Sequence, residues 1–323
     1  MNQIPTAQNP SPETLLPENL LSFLPGEKRA LALPPFSLPL TIVHGMHPGK
    51  KLLLTAGVHG CEYCSIVAAM ELCRELDPKE LSGSVVIAPI ANMSGFYERL
   101  AALVAEDGKN LNRVFPGKGD GSHSERLALE VTKLQDWADF YVDMHGGDLH
   151  EAMHPFVFVP GMADAQVTDY AREAAGYLDV DVRVLSKATT GAYNSAAIRG
   201  VPSLLIERGG LGVWTRAEVD AYKRDIYSLL HFLGMLPGKA EKGPAAQREL
   251  QRVVYLEAKV RGLWFPADDT RPGKSLRAGQ FLGEIRDVQG NVVRRYEAEF
   301  DAMVLYMTVS LAVKEGTPLV AYG

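Results

Sequence analysis

The sequence predicts an α/β protein, with a mixed and mostly parallel sheet flanked by helices, followed by a small all-β domain. Three observations carry that expectation. Up to residue 236, apolar runs of strand length alternate with segments whose apolar residues recur at three-and-four spacing. A stretch rich in Pro, Gly and charge, LPGKAEKGPAAQ from Leu236 to Gln247, then interrupts the rhythm. Beyond it come short β-type runs separated by glycine turns. Strands alternating with helices imply a sheet covered on both faces, which calls for a parallel or mixed arrangement.

Residues 1–35 are proline-rich and read as an irregular leader. Residues 36–237 carry the alternating pattern. The strands expected there are Leu40–Val43, Lys51–Ala56, Ser84–Ile90, Phe140–Met144, Phe156–Val159 and Ser203–Ile206. The amphipathic helices between them are Cys64–Leu76, Ser124–Trp137, Ala165–Leu178 and Arg216–Leu236. Residues 250–323 form the expected all-β domain, where RPGKSLRAGQFLGEI and VKEGTPLVAYG read as two copies of a strand–turn–Gly–strand unit. A chain of 323 residues fits two domains at roughly 100–200 residues each.

Composition narrows the function classes. A hydrophobic content of 46% and a charged content of 22% are those of a globular chain and argue against disorder. A formal net charge of −6 argues against nucleic acid as partner, since phosphates reward a basic face. No apolar run approaches the ~20 residues that span a bilayer, and the N-terminus lacks the pattern of a secretory signal. The expectation is a cytoplasmic protein without a membrane partner. Cys61, Cys64 and Cys73 are odd in number, and the CxxC pair has no second pair to complete a structural zinc site. A homo-oligomer stays open, because apolar interface residues read like core residues in a linear string.

Function concentrates at predicted strand ends. TAGVHGCEY follows the strand Lys51–Ala56 and places His59 and Glu62 three residues apart at a helix start, on one face. Alone, this pair reads first as a surface His beside a capping Glu. DMHGG follows the strand Phe140–Met144 and adds His145, with Asp143 able to orient it. His, Glu and His with an open fourth position is the ligand set of a catalytic zinc, one per chain. LLIERGG delivers Glu207 at a third strand end, a candidate for the proton transfers. NLNRVFPG offers Asn112 and Arg113 in an irregular loop, with the two-pronged Arg suited to a carboxylate.

HGCEY, NLNRVFPG, DMHGG and LLIERGG, in that order, resemble the succinylglutamate desuccinylase/aspartoacylase family of zinc carboxypeptidase-like hydrolases. The resemblance covers about Leu40 to Leu236, and the β-rich tail is similar to the small barrel-like domain those proteins carry. It implies that His59, Glu62 and His145 ligate zinc, that Glu207 is the general base and then the acid, and that Asn112 and Arg113 hold a substrate carboxylate. The implied reaction is hydrolysis of a small N-acyl amino acid or related amine. Two positions depart from the pattern. Ala105 stands where family members usually carry an arginine that polarises the scissile carbonyl, with Arg99 six residues further back. Cys61 stands inside the HxxE motif, where a polar residue is usual; it is expected to point away from the metal or pack beneath it. A metallocarboxypeptidase acting on peptides and a non-catalytic small-molecule binder on the same scaffold remain the rival readings.

Overall fold

The computed structural model describes residues 22–244 and 246–323. Ten strands come first: β1 (Glu27–Leu33), β2 (Leu38–His44), β3 (His47–Ala56), β4 (Ser82–Ala88), β5 (Phe140–His145), β6 (Glu151–Met153), β7 (Phe156–Pro160), β8 (Val182–Ser186), β9 (Ser203–Glu207) and β10 (Arg248–Leu250). Among them run the helices α1 (Tyr63–Glu75), α2 (Met93–Tyr97), α3 (His123–Trp137), α4 (Ala165–Ala175), α5 (Ala192–Ile198) and α6 (Arg216–Phe232). All of these strands except β6 form one sheet in the order β1-β2-β4-β3-β5-β9-β7-β8-β10. The pairs β3–β4, β3–β5, β5–β9, β7–β8 and β8–β10 are parallel, and the other three are antiparallel. The sheet is mixed and mostly parallel, as expected.

Its central strands are apolar on both faces because both faces are covered. Leu52 and Leu54 of β3 pack in the core shared with α1, α4 and α6, while Leu53 between them packs with α3 and α5. Tyr141 and Leu205 repeat the alternation against Val142 and Ile206. Each such buried side chain contributes about 1.5–3 kcal/mol.

The second set comprises β11 (Val254–Glu257), β12 (Gly262–Pro266), β13 (Ser275–Leu276), β14 (Phe281–Arg286), β15 (Val292–Glu297), β16 (Ala302–Thr308), β17 (Ala312–Val313) and β18 (Pro318–Tyr322). They build a β11-β18-β16-β13 sheet and a β15-β14-β12-β17 sheet around Trp264, Leu282, Ile285, Val304, Leu319 and Tyr322. The two matching phrases are indeed matching turns. Gln280 N–H returns to Arg277 O and Thr317 N–H to Lys314 O, with Gly279 and Gly316 at φ +77° and +81° in the third position, which suits glycine.

The structure differs from the expected boundaries in three places. Residues 1–21 of the expected leader lie outside the described residues, and residues 27–33 are not irregular but form β1, hydrogen-bonded along its length to β2. The strand was hidden because it is an edge: Glu27, Lys28 and Arg29 interrupt its alternation, and edges tolerate charge that central strands do not. At the other end, Arg248–Leu250 adds to the large sheet beside β8, although it follows the interrupting stretch. In return β6, from within residues 36–237, pairs with β16 of the C-terminal set, Glu151 opposite Thr308. Phe156, Val184, Leu250, Leu305 and Ala321 fill a core between the two parts. No helix among the described residues is long and apolar enough to cross a membrane.

Candidate metal centre and its cleft

β3, β5 and β9 run side by side and parallel in the middle of the sheet, so their carboxyl ends open on one edge. From β3 the chain passes to β4 on one side, and it then reaches β5 on the other. The loops part at that reversal and leave a crevice, the usual ligand site of open α/β sheets. Gly57 starts the loop after β3 at φ +62°, a left-handed turn that carries the chain to His59.

Glu62 occupies the N-cap of α1 but makes no capping hydrogen bond, which disposes of the capping interpretation. Its carboxylate lies between two imidazoles instead. Oε1 is 2.7 Å from His59 Nδ1, and Oε2 is 3.0 Å from His145 Nδ1. Gly146 N–H also donates to Oε2 at 3.2 Å. The two rings meet edge to face with centroids 4.9 Å apart. Ligand atoms from His59, Glu62 and His145 all lie within 4.8 Å of one another.

The far side of each ring decides what this cluster can hold. His59 Nε2 faces Asn110 Oδ1 at 3.1 Å, and His145 Nε2 faces Asp143 Oδ2 at 3.1 Å. An acceptor behind each ring favours a proton on Nε2, so Nδ1, the nitrogen facing Glu62, is the one a cation could take in place of a proton. Asp143 Oδ2 and His145 Nε2 are buried and close, yet not aligned as a good hydrogen bond. Behind them Thr55 Oγ1 donates to Asp143 Oδ1 at 3.0 Å and shares a 2.6 Å hydrogen bond with Tyr141. Burial opposes charge on Glu62, but His145 and His59 outweigh it and hold the carboxyl down to about 2. Burial likewise opposes charge on His145, and the Asp143 and Glu62 carboxylates overturn it and push the ring well above its usual value. An ionised carboxylate with two convergent, backed imidazoles fits a divalent cation of the zinc type.

Glu207 ends β9 directly opposite His145 in the strand register. Its Oε2 is buried and has no partner among the described residues. Burial drives its carboxyl well above the ordinary range, with Glu62, Glu151 and Asp143 adding to the effect and His145 opposing it. The structure thus gathers all four residues of the three strand ends.

The loop NLNRVFPG divides its labour in a way the sequence does not display. Asn110, not singled out by sequence, is the residue that backs His59, and its Oδ1 also accepts Asn112 N–H at 2.8 Å. Asn112 reaches the cleft wall, but its Oδ1 is committed to the start of α5, accepting Ala192 N–H at 2.8 Å. Arg113 is exposed, lines the cleft and makes no ion pair among the described residues. Arg99 does not line the cleft; it sits beside Cys61 and Tyr63 at φ +55°. Cys61 is fully buried off the cleft, where burial pushes its thiol up.

The cleft encloses about 780 Å³, and a wall that sequence reading missed comes from the C-terminal part. Tyr255 and Glu257 of β11 and Tyr306 and Thr308 of β16 line it together with His59, Glu62 and His145. Glu151, at the start of β6, completes that side. Local patterns carry no trace of such pairing, since Thr308 Oγ1 reaches the His150 carbonyl across 158 residues of chain.

Comparison with known proteins finds a matching family model and solved structures of the same fold. The model of the succinylglutamate desuccinylase/aspartoacylase catalytic domain matches residues 48–233. An N-alpha-acetyl-L-2,4-diaminobutyric acid deacetylase from Halomonas elongata is 26% identical over 294 residues, covering 86% of this chain and 83% of its own. A succinylglutamate desuccinylase/aspartoacylase from Rhodobacter sphaeroides superimposes with a TM-score of 0.78 at 26% identity, covering 91% of this chain and 95% of that one. The product-bound ectoine utilization protein EutE (DoeB) from Ruegeria pomeroyi shares the fold, with a TM-score of 0.78 at 24% identity over 88% of this chain and 87% of its own.

Proposed function

Because this chain belongs to the succinylglutamate desuccinylase/aspartoacylase family, we propose that it is a zinc-dependent amidohydrolase. In this reading it splits the linear amide of a small N-acyl amino acid or a related N-acyl amine. The observation that carries it is the placing of Glu207, in register with His145 and with one carboxylate oxygen buried and unpartnered beside the His59–Glu62–His145 cluster. Those three residues would hold one zinc ion per chain, which when bound would supply Lewis-acid polarisation of the acyl carbonyl and lower the pKa of water.

The remaining work belongs to the protein. Glu207 takes the proton of the attacking water and returns it to the amide nitrogen as the C–N bond breaks, which yields a carboxylate and a free amine. A carboxyl pushed upward by burial is suited to holding that proton between the two transfers. Arg113, free of any ion pair among the described residues, takes the substrate carboxylate as a two-pronged donor. Asn112 fixes the wall beside it through Ala192 and leaves its amide N–H groups for the substrate. The cleft volume of about 780 Å³, walled by Tyr255 and Tyr306, favours a small molecule over a peptide. The name of the Halomonas relative places that protein's substrate in the same class.

Glu207→Gln should keep its zinc and lose about 10²–10⁴-fold in kcat on N-acetyl amino acids. Near-native turnover by that variant would remove Glu207 from the mechanism. Elemental analysis should find about one zinc per chain, lost in His59→Ala and in His145→Ala.

A further inference from the structure

We propose that Glu151, with the rings of Tyr306 and Tyr255, is a receptor for a positively charged group on the substrate, so that this chain prefers N-acyl amino acids carrying a second, free ammonium. The inference rests on the deacylase reading for the site and adds the part of the substrate that reading leaves open.

Charge balance is the first ground. Five carboxylates line the cleft (Glu62, Asp148, Glu151, Glu207 and Glu257) against a single Arg or Lys side chain, Arg113. Glu62 is absorbed by the two imidazoles and Glu207 by proton transfer. Arg113 answers the one carboxylate that every N-acyl amino acid carries. The acidity left over repels a second anion and gains nothing from a neutral side chain. Only a cation uses it.

The second ground is how firmly Glu151 is built into place. Its backbone carbonyl accepts Leu211 N–H at 2.9 Å, and its strand is pinned to β16 opposite Thr308. Gly147 and Gly210 both press against that carbonyl, so closely that a Cβ on either would overlap it. The glycines of DMHGG and ERGG therefore do more than free the chain near the metal ligands. They let the backbone of Glu151 approach from the far side.

The third ground is its surroundings. The half-buried carboxyl lines the cleft and has no side-chain hydrogen bond or ion pair among the described residues; its one protein partner is the Asp148 backbone. Burial first, then Asp148 and Glu62, push it up to about 8, the state of an acid whose counter-charge is not supplied by the fold. The Tyr306 phenol is raised by burial and by Glu151 beside it, so its ring stays neutral. Tyr255 stands 6.5 Å away, centroid to centroid. A carboxyl that lines one cleft wall together with two tyrosine rings offers an ammonium both charge and the ring quadrupole.

The test compares an ammonium side chain with its uncharged isostere. Zinc-loaded wild type, Glu151→Gln and Tyr306→Leu are assayed on Nα-acetyl-L-2,4-diaminobutyrate and Nα-acetyl-L-norvaline. Calorimetry on the same proteins measures binding of the free amino acids L-2,4-diaminobutyrate and L-norvaline. Wild type should favour the ammonium compound in kcat/KM and in affinity by about 30-fold or more, and Glu151→Gln should erase the preference while changing the norvaline compounds less than about 3-fold. Tyr306→Leu should cost the ammonium compounds about 3–30-fold and provides a reading even if Glu151→Gln folds poorly. Equal treatment of the two side chains by wild type overturns the proposal, as does an equal loss on both in Glu151→Gln. Equal hydrolysis of both acetylated compounds sinks this inference and leaves the deacylase reading standing. A Glu151-dependent binding preference without hydrolysis does the reverse.

Discussion

Asp143 and His145, two residues apart on β5, point to the same face of the strand and bring Oδ2 within 3.1 Å of Nε2. The aspartate is fully buried, its other oxygen held by Thr55. The aspartate lies behind the ring of His145, one of the three residues that could hold a metal. Asp143→Asn should keep the fold and the three ligands but weaken zinc binding about 10–100-fold. A chelator competition titration would show it, and an unchanged affinity would reduce Asp143 to a structural role.

Gly146 provides a test of how tightly the strand ends are packed. A Cβ there would overlap the Arg208 carbonyl of the neighbouring strand end, which is backbone and cannot turn aside. Gly146→Ala should therefore cost about 1–3 kcal/mol by overpacking and disturb both Glu62 and Glu207. The expected readouts are a lower melting temperature and reduced zinc content in one variant. A variant with both properties intact would mean that β5 and β9 yield more easily than their burial implies.

Asn112 is predicted to act partly through stability. Asn112→Ala removes the acceptor for Ala192 N–H at the start of α5, a loss of about 1 kcal/mol by analogy with other helix-start acceptors. Asn112→Asp retains an acceptor oxygen and should recover most of that stability. Calorimetric melting of the three proteins decides the matter, and identical melting for Asn112→Ala and wild type would contradict the assignment.

The tie between α1 and α6 should appear in acid. Glu71 accepts two hydrogen bonds from Arg216, at 2.7 and 2.9 Å, and one from Lys223 at 2.9 Å. Those bonds, Arg216 first, hold its carboxyl down to about 2. Because the folded value lies below the unfolded one of about 4.3, the contribution is complete above that pH and is lost as pH falls toward about 2. Arg216 is half exposed, so solvent screens the tie and its contribution is small. Glu71→Gln should melt slightly below wild type near neutral pH, with the gap closing in acid. A gap that widens on acidification would show that the tie has been misread.

Much of this architecture was legible because its causes are local. Apolar strands covered on both faces announce themselves as continuous runs, and amphipathic helices as a three-and-four rhythm. β1 escaped because an edge strand carries charge, and β6 and β10 because three residues are too few to show a period. The residues that could hold a metal were findable because each lies at a strand's carboxyl end or a short turn beyond it. Asn110 and Asn112 could not be told apart, since the same side chain in the same loop backs a histidine in one case and holds α5 in the other.

The sequence alone determined which residues end strands beside glycines, and so which side chains could meet a metal: His59, Glu62, His145 and, beside them, Glu207. Local patterning suffices for that, because strand and loop identity depend on neighbours within a few residues. The tertiary structure decided the order of the strands, the docking of β6 on β16, and with them the placing of Glu151, Tyr255 and Tyr306 around the cleft. Those placements depend on pairings between segments some 150 residues apart, such as Glu151 of β6 opposite Thr308 of β16. Residues that far apart leave no periodic mark on one another. Only packing brings them together.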